Sequence, residues 1–200
     1  QHRLVHLGCW AHGRRYFDDA LQALPKDQRG PEQLPWRFIE LIGRLYKVEA
    51  DARRDALDDQ ALAQQREQHS ALVLEQIEAL ALQHLHGVLP GSLLGTALHY
   101  LTAQWPKLVR YVDDGRWPID NNACENAIRP FVVGRRNWLF ADTVAGANAS
   151  ANLYSLLQTC LANGIDGYRY LSALLVELPK ARTVEDFEAL LPWRLAAAQR

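Results

Sequence analysis

The sequence predicts a mostly helical protein with little β-strand. Apolar residues recur at spacings of three and four along most of the 200 residues, the pattern of one buried helix face. Prolines and glycines divide the chain into pieces of helix length. A hydrophobic fraction of 48% and a charged fraction of 22% are ordinary for a globular domain and exclude a disordered or low-complexity chain.

The first segment, residues 1–24, combines a short strand with a helix. Residues 3–9 contain alternating polar and apolar side chains, which predicts the strand. Gly8 and Gly13 are predicted to bracket a turn. A helical pattern then covers residues 14–24, and Pro25 ends it because proline cannot continue a helix.

The second segment, residues 25–115, is predicted to be an all-helical insertion. It begins with a proline-rich loop, after which a long helix starts at about Trp36. Further helices are expected over residues 67–86 and 93–112. We therefore expect this module to bury its own apolar core.

The third and fourth segments are residues 116–148 and 149–200. An extended stretch over 116–119 leads to Asp120 or Asn121, either of which suits the N-cap of a helix reaching about Val133. A basic and aromatic segment and a small polar loop follow, and the last segment is predicted to contain the C-terminal helices. Those helices are expected over residues 150–162, 166–178 and 184–191.

The strongest chemical signal lies at the start of the third segment's helix. Asn122, Glu125 and Arg129 are three and seven residues apart, so they share one helix face. A carboxylate there, followed by arginines, suits a divalent metal beside a phosphate group. The alternative is an ordinary helix start, in which the negative charge of Glu125 only interacts favourably with the positive end of the helix dipole.

A second signal is basic and aromatic. Arg129, Arg135 and Arg136 are accompanied by Trp138, and residues 126–141 contain no acidic side chain. Guanidinium groups match phosphate geometry and an aromatic ring can stack on a base, which predicts contact with DNA. The alternative is a solvated turn with Trp138 in the core.

A third signal is the spacing of Cys9 and His12, which forms half of a zinc site. Zinc requires four ligands, and no second pair follows at a suitable spacing. A buried thiol and a structural histidine are therefore the favoured interpretation.

The remaining features concern the chain as a whole. It contains no Met and begins with Gln1, so we expect a piece of a longer protein. Three cysteines are a sparse set that favours a reducing compartment, and neither a signal peptide nor an apolar run of membrane-spanning length is visible. We expect a cytoplasmic, nucleoid-associated protein without a membrane partner.

The stretch 117–140 resembles the signature of the insertion sequence 66 family of DDE transposases. The resemblance lies in Asp120-Asn-Asn-x-x-Glu125, in Ala127-Ile-Arg-Pro130 and in Gly134-Arg-Arg-Asn-Trp-Leu-Phe140. Cys9-Trp-Ala-His12 is similar to a block that follows the family's second catalytic aspartate. The resemblance extends over nearly the whole chain.

The resemblance implies the C-terminal part of an RNase H-like α/β core that carries a helical insertion. In that family three carboxylates hold two Mg²⁺ or Mn²⁺ ions, which activate water or a DNA 3′-hydroxyl for attack on a phosphodiester. Glu125 would be the third carboxylate and a metal ligand, and Arg129, Arg135, Arg136 and Trp138 would contact DNA. Cys9, His12 and Asn122 would support the site, and the full-length protein would act on transposon ends and target DNA as a homo-oligomer.

The family's two catalytic aspartates would precede Gln1. We therefore expect the chain to be inactive alone. Two other hypotheses remain open: a non-catalytic DNA-binding or regulatory fragment that associates with full-length transposase, and a helical interaction module without a DNA role.

Overall fold

The computed structural model describes residues 4–138 and 141–198; for Trp138 and residues 196–198 it describes the backbone alone. Within these residues the chain is mostly helical, which confirms that part of the predicted fold class. Contacts divide it into two compact units, Gln1–Ala123 and Cys124–Arg200. The four segment boundaries drawn from the sequence stay predictions.

The first unit consists of helices joined by short turns. In chain order its helices are α1 (Trp10–Gln22), α2 (Leu34–Arg54), α3 (Asp59–Gln65), α4 (Ala71–His84) and α5 (Leu93–Leu108). A π-helical turn, Arg66–Ser70, joins α3 directly to α4, and 3-10 turns cover Lys26–Gln28 and Val109–Asp113.

Helix α1 packs against both α2 and α5 in the core of the first unit. Phe17 of α1 stacks on Phe38 of α2 with ring centroids 4.2 Å apart, and Trp10 meets the edge of Trp105 of α5 at 6.1 Å. All but Trp105 are fully buried. Burial of each such side chain contributes about 2–3 kcal/mol, so these aromatic contacts fix how the three helices pack.

The predicted strand at residues 3–9 is wrong for the part that the structure describes. Residues 4–9 form no strand, because no second extended segment lies beside them among the described residues. The backbone amide of Gly8 donates instead to the carbonyl of Lys107 (2.8 Å), and Arg110 donates to the carbonyl of His6 (2.8 Å). This segment is therefore fixed to the end of α5, and the RNase H-like core stays a prediction.

Helix α1 begins earlier than predicted because Gly13 lies inside it. Gly13 is buried, and a Cβ atom there would lie 3.8 Å from the ring of Tyr100 on α5. That distance is an ordinary contact, so Gly13 lies on a packed helix face with room for a Cβ atom, which sequence patterns do not distinguish from a turn.

The helix that carries Glu125, α6 (Asn122–Trp138), begins in the first unit and continues into the second. The other helices of the second unit are α7 (Val144–Ala162), α8 (Gly167–Glu177), α9 (Val184–Ala189) and α10 (Pro192–Ala198), with a 3-10 turn at Leu178–Lys180. Their core contains Cys160, Tyr170 and Leu174, and the Tyr170 hydroxyl donates to the Leu190 carbonyl (3.0 Å).

Two boundaries in this region differ from prediction. Helix α6 continues about one turn beyond Val133, so the arginines of the basic segment are helical. The predicted loop at residues 141–148 contains the start of α7, where the Thr143 hydroxyl accepts from the amide of Gly146 (3.0 Å). Sequence patterns did not reveal the start of α7, because its small residues show no apolar periodicity.

Each helix that the structure describes is too short or too polar to cross a lipid bilayer.

Candidate active site

The segment before α6 is fixed to the start of α1. We call residues 111–121 the lead-in. The amide of Trp10 donates to the carbonyl of Ile119 (3.2 Å), and the amide of Asn121 donates to the Sγ of Cys9 (3.4 Å). Ile119 is itself buried. These contacts place Cys9 against the backbone directly before α6.

Asp120 caps the start of α6 with both carboxylate oxygens. Its Oδ1 accepts from the backbone amide of Asn122 (3.0 Å), and its Oδ2 accepts from the side-chain amide of the same residue (2.9 Å). The hydroxyl of Tyr46, on α2, donates to the same Oδ2 (2.8 Å). Burial and the hydrogen bond to Asp120 raise the pKa of Tyr46, so its hydroxyl stays a donor at ordinary pH.

Arg66, at the start of the π turn, is the most connected side chain of the first unit. It is 1% exposed and forms a two-bond ion pair with Glu49 of α2, through Nε to Oε1 and Nη2 to Oε2, both at 2.8 Å. The remaining donors reach backbone carbonyls of the lead-in. These are the carbonyls of Tyr111 (2.7 Å), Asp114 (2.8 Å) and Trp117 (3.0 Å).

All five N–H groups of a guanidinium are thereby used. Lysine has three donors on a single atom and cannot reproduce this planar fork. Arg66 therefore connects three parts of the sequence: Glu49 on α2, the π turn that carries Arg66 itself, and the backbone of the lead-in.

Glu125 lies in the first turn of α6 and is half-buried. An α-helix turns about 100° per residue, so residues separated by 4, 7 or 11 positions share a face. Glu125, Arg129 and Arg136 therefore form one stripe along α6, which we call the Glu125 stripe. It spans about 16 Å along the helix axis.

The predicted DNA-binding residues are not all on this stripe. Arg129, Arg135 and Arg136 are exposed. Arg135 is rotated about 100° from Arg136, toward the side of α6 that carries Phe131, whose ring meets Tyr154 of α7 at 4.9 Å. The side chain of Trp138 lies outside the described residues, and its contact with DNA stays a prediction.

The three predicted supporting residues lie at the starts of two helices. Cys9 precedes α1, His12 is half-buried in its first turn, and Asn122 opens α6. The cysteines Cys124 and Cys160 are exposed and buried, respectively. Cys9 is half-buried rather than fully buried, and its thiol accepts a hydrogen bond; the supporting roles of Cys9, His12 and Asn122 stay predictions.

Sequence reasoning missed Tyr46, Glu49 and Arg66. The available signal was the apolar face of α2, where Ile42 and Leu45 are fully buried and Glu49, four residues later, continues the same face. A carboxylate at such a position requires a buried cationic partner. The sequence alone does not show that Arg66 is that partner.

Comparisons with known proteins confirm the family resemblance that the sequence shows. The family model described as "Transposase IS66 family" matches residues 1–149, and that of the "IS66 C-terminal element" matches residues 155–193. Two similar proteins of Sinorhizobium fredii are the uncharacterized protein y4qI, 33% identical over 93% of this chain, and the uncharacterized protein y4jD, 30% identical over 96%.

The matched regions cover 33% of y4qI and 36% of y4jD, so the chain spans about a third of the length of these relatives. No solved structure matches the chain. The two family models together cover most of the sequence, with the Glu125 stripe inside the first. The chain belongs to the IS66 family of transposases.

Proposed function

We propose that this chain supplies the third catalytic carboxylate and part of the DNA contact surface of a DDE transposase. The reaction is metal-dependent DNA cleavage and strand transfer during transposition. The observation that supports this proposal is the Glu125 stripe, in which one carboxylate and two guanidinium groups share a face of α6. The first residues of that helix are tied to the first unit through Asp120.

The donor set fits one part of a magnesium or manganese site. Glu125 offers hard carboxylate oxygens, which Mg²⁺ and Mn²⁺ prefer. Asp120 is unsuited as a second ligand, because its oxygens already accept three hydrogen bonds. When bound, the metal ions activate the attacking hydroxyl and neutralise charge on the phosphate.

Arg129 and Arg136 would bind the phosphates of DNA beside the reacting group. Both are exposed and lie about 10 Å apart along the helix axis. Guanidinium groups keep their charge at any ordinary pH and fork onto phosphate oxygens. Their role is to hold the DNA backbone along the direction of α6, toward Glu125.

The complete site requires carboxylates from outside this chain. We propose that the family's other two catalytic residues lie in the part of the transposase that the relatives possess beyond the matched third. The RNase H-like core and the homo-oligomeric form belong to that longer protein. The 200-residue chain alone would then bind DNA without cleaving it.

A regulatory fragment is the second candidate function. It is favoured by the single carboxylate of the Glu125 stripe combined with exposed arginines. Such a chain would associate with full-length transposase or its DNA and perform no chemistry. Adding the 200-residue chain to the part of the transposase that carries the other catalytic carboxylates separates the two, because only the catalytic proposal predicts cleavage that depends on Glu125 of this chain.

The experiment on DNA binding compares Arg136→Ala with Arg135→Ala in the 200-residue chain. Each phosphate contact contributes about 0.9 to the slope of log affinity against log salt. We expect Arg136→Ala to lower that slope by about one and Arg135→Ala, the matched control of equal charge, to lower it less. Equal effects would contradict the Glu125 stripe, and DNA binding that both variants leave unchanged would remove the proposed DNA role.

The experiment on chemistry measures Mn²⁺- and Mg²⁺-dependent nicking of supercoiled plasmid. The 200-residue chain should show none, and full-length transposase should lose nicking with Glu125→Gln. Nicking by the isolated chain that disappears with Glu125→Gln would show a complete site in this chain and refute the need for further carboxylates.

A further inference from the structure

The lead-in is attached to the helical insertion by polar contacts as well as by burial of Tyr111 and Ile119 in the apolar core of the first unit. Arg66 holds the carbonyls of Tyr111, Asp114 and Trp117, and Tyr46 holds the carboxylate of Asp120. These contacts span 45 to 74 residues of sequence. They connect the insertion to the residues immediately before the helix that carries Glu125.

The anchors come from two adjacent elements. Tyr46 and Glu49 are three residues apart on α2, so they lie on neighbouring positions of one helix face. Glu49 pairs with Arg66, which begins the π turn between α3 and α4. π turns inside longer helices are found frequently at functional sites.

Stability alone is a poor account of these contacts. A buried ion pair is often no more stabilising than apolar residues of the same volume, because its groups lose their hydration. The apolar core of the first unit already contains Ile42, Leu45 and Ile77, all fully buried. What the polar anchors add is a defined position for the lead-in.

We propose that Tyr46, Glu49 and Arg66 are positioning residues that fix the lead-in and the first residues of α6, the helix that carries Glu125. This inference rests on the proposed function, in which Glu125 is a metal ligand. It assigns the helical insertion a part in the reaction without contact with DNA or metal. Arg66 acts on the backbone of the lead-in, and Tyr46 acts through the cap formed by Asp120 on Asn122.

The first test is amide hydrogen exchange in the 200-residue chain with Tyr46→Phe, which removes only the hydroxyl. The matched control is Tyr16→Phe on α1, whose ring packs on Tyr100. Loss of one hydrogen bond of ordinary net strength corresponds to about a fivefold change in equilibrium. We expect exchange at Asn121 and Asn122 to rise about fivefold with Tyr46→Phe and to stay unchanged with Tyr16→Phe.

A spectroscopic signature accompanies this measurement. The side-chain amide of Asn122 donates to Asp120 Oδ2, so its NMR signals report the geometry of the cap. Tyr46→Phe should shift these signals while amides of α5 keep their protection. Unchanged exchange at Asn122 would overturn the proposal, and increased exchange throughout the first unit would show a merely structural role instead.

The second test measures DNA cleavage by full-length transposase. Tyr46→Phe should lower kcat between about fivefold and 100-fold with KM for DNA unchanged, because displacement of a reacting group slows chemistry without weakening binding. Wild-type kcat in Tyr46→Phe, with Glu125→Gln inactive, would refute positioning and leave the proposed function intact. Full activity of Glu125→Gln would refute the proposed function, whereas the exchange result would still decide whether Tyr46 anchors the cap.

Discussion

Replacing Arg66 by Met should destabilise the first unit more than almost any other single substitution. Methionine fills a similar elongated volume but has no donor, so it leaves the buried carboxylate of Glu49 without its partner. It also leaves the three lead-in carbonyls without the guanidinium donors. The perturbation therefore has an ionic part and a backbone part, and the structure allows the two to be separated.

The ionic part is the larger. Removing one partner of a buried ion pair costs about 3–5 kcal/mol, because the remaining charge is buried and uncompensated. Arg66 and Glu49 are 1% and 8% exposed, which places this pair in that class. The backbone part is three hydrogen bonds at about 1 kcal/mol each, or about 3 kcal/mol.

A double variant isolates the backbone part. Replacing Glu49 by Leu together with Arg66→Met removes both charges, and an apolar pair of similar volume is often neutral relative to an ion pair. The carbonyls of the lead-in still lack their donors. We expect the double variant to be about 2–3 kcal/mol less stable than the wild type and more stable than Arg66→Met alone.

The assay is urea unfolding of the first unit. Hydrogen exchange of the amides in α2 and α5 serves as the probe, so that unfolding of the second unit does not contribute. Arg66→Lys serves as the charge-conserving control and should fall between wild type and Arg66→Met, because an ammonium cannot span Glu49 and three carbonyls. A double variant as stable as the wild type would refute the claim that Arg66 holds the lead-in. If Arg66→Met lowers the free energy of unfolding by less than about 1 kcal/mol, the conclusion that Arg66 and Glu49 form a buried ion pair is refuted.

Two further predictions concern the first unit. Gly115→Ala would place a Cβ atom on the carbonyl oxygen of Asp59, so we expect a loss of about 1–3 kcal/mol in urea unfolding, whereas Gly91→Ala, with open space around it, should change stability by less than about 0.5 kcal/mol. Burial raises the pKa of Tyr111 to about 12. The unfolded chain therefore loses this proton near pH 10 while the folded chain keeps it, and Tyr111 should contribute a fall in stability of about 1.4 kcal/mol per pH unit between pH 10 and 12, in addition to the contribution of Tyr46. Tyr111→Phe should reduce that slope in an alkaline unfolding series, and an unchanged slope would contradict the assignment.

The sequence predicted the helices well and the contacts between distant residues poorly. Apolar spacing located α2, α5 and α8 within a few residues, because each buries one face. Over the described residues 4–9, the predicted strand is wrong for a different reason: alternation describes a segment with two unlike faces, and strand formation requires a partner strand. In this chain the partner of the segment is the end of α5.

The candidate site shows the same division. Glu125 and its position in the first turn of a helix followed from local residues, since capping and helix spacing act within a few positions. Tyr46 is 74 residues from Asp120, and Arg66 is 51 residues from Trp117. No local pattern encodes such pairs, although a glutamate on the buried face of α2 signals that a cationic partner exists.

Continuation of α6 through Arg135 and Arg136 changes how the basic segment should be tested. Adjacent arginines in an extended turn could both reach one DNA strand, and a double alanine variant would then be informative. On a helix the two point about 100° apart, and only Arg136 continues the line of Glu125 and Arg129. Removing both at once would merge a contact beside the reacting group with a charge on a different face of the helix. Arg135→Ala and Arg136→Ala carry equal net charge. A difference in their DNA affinity therefore reports the direction in which each arginine points from α6.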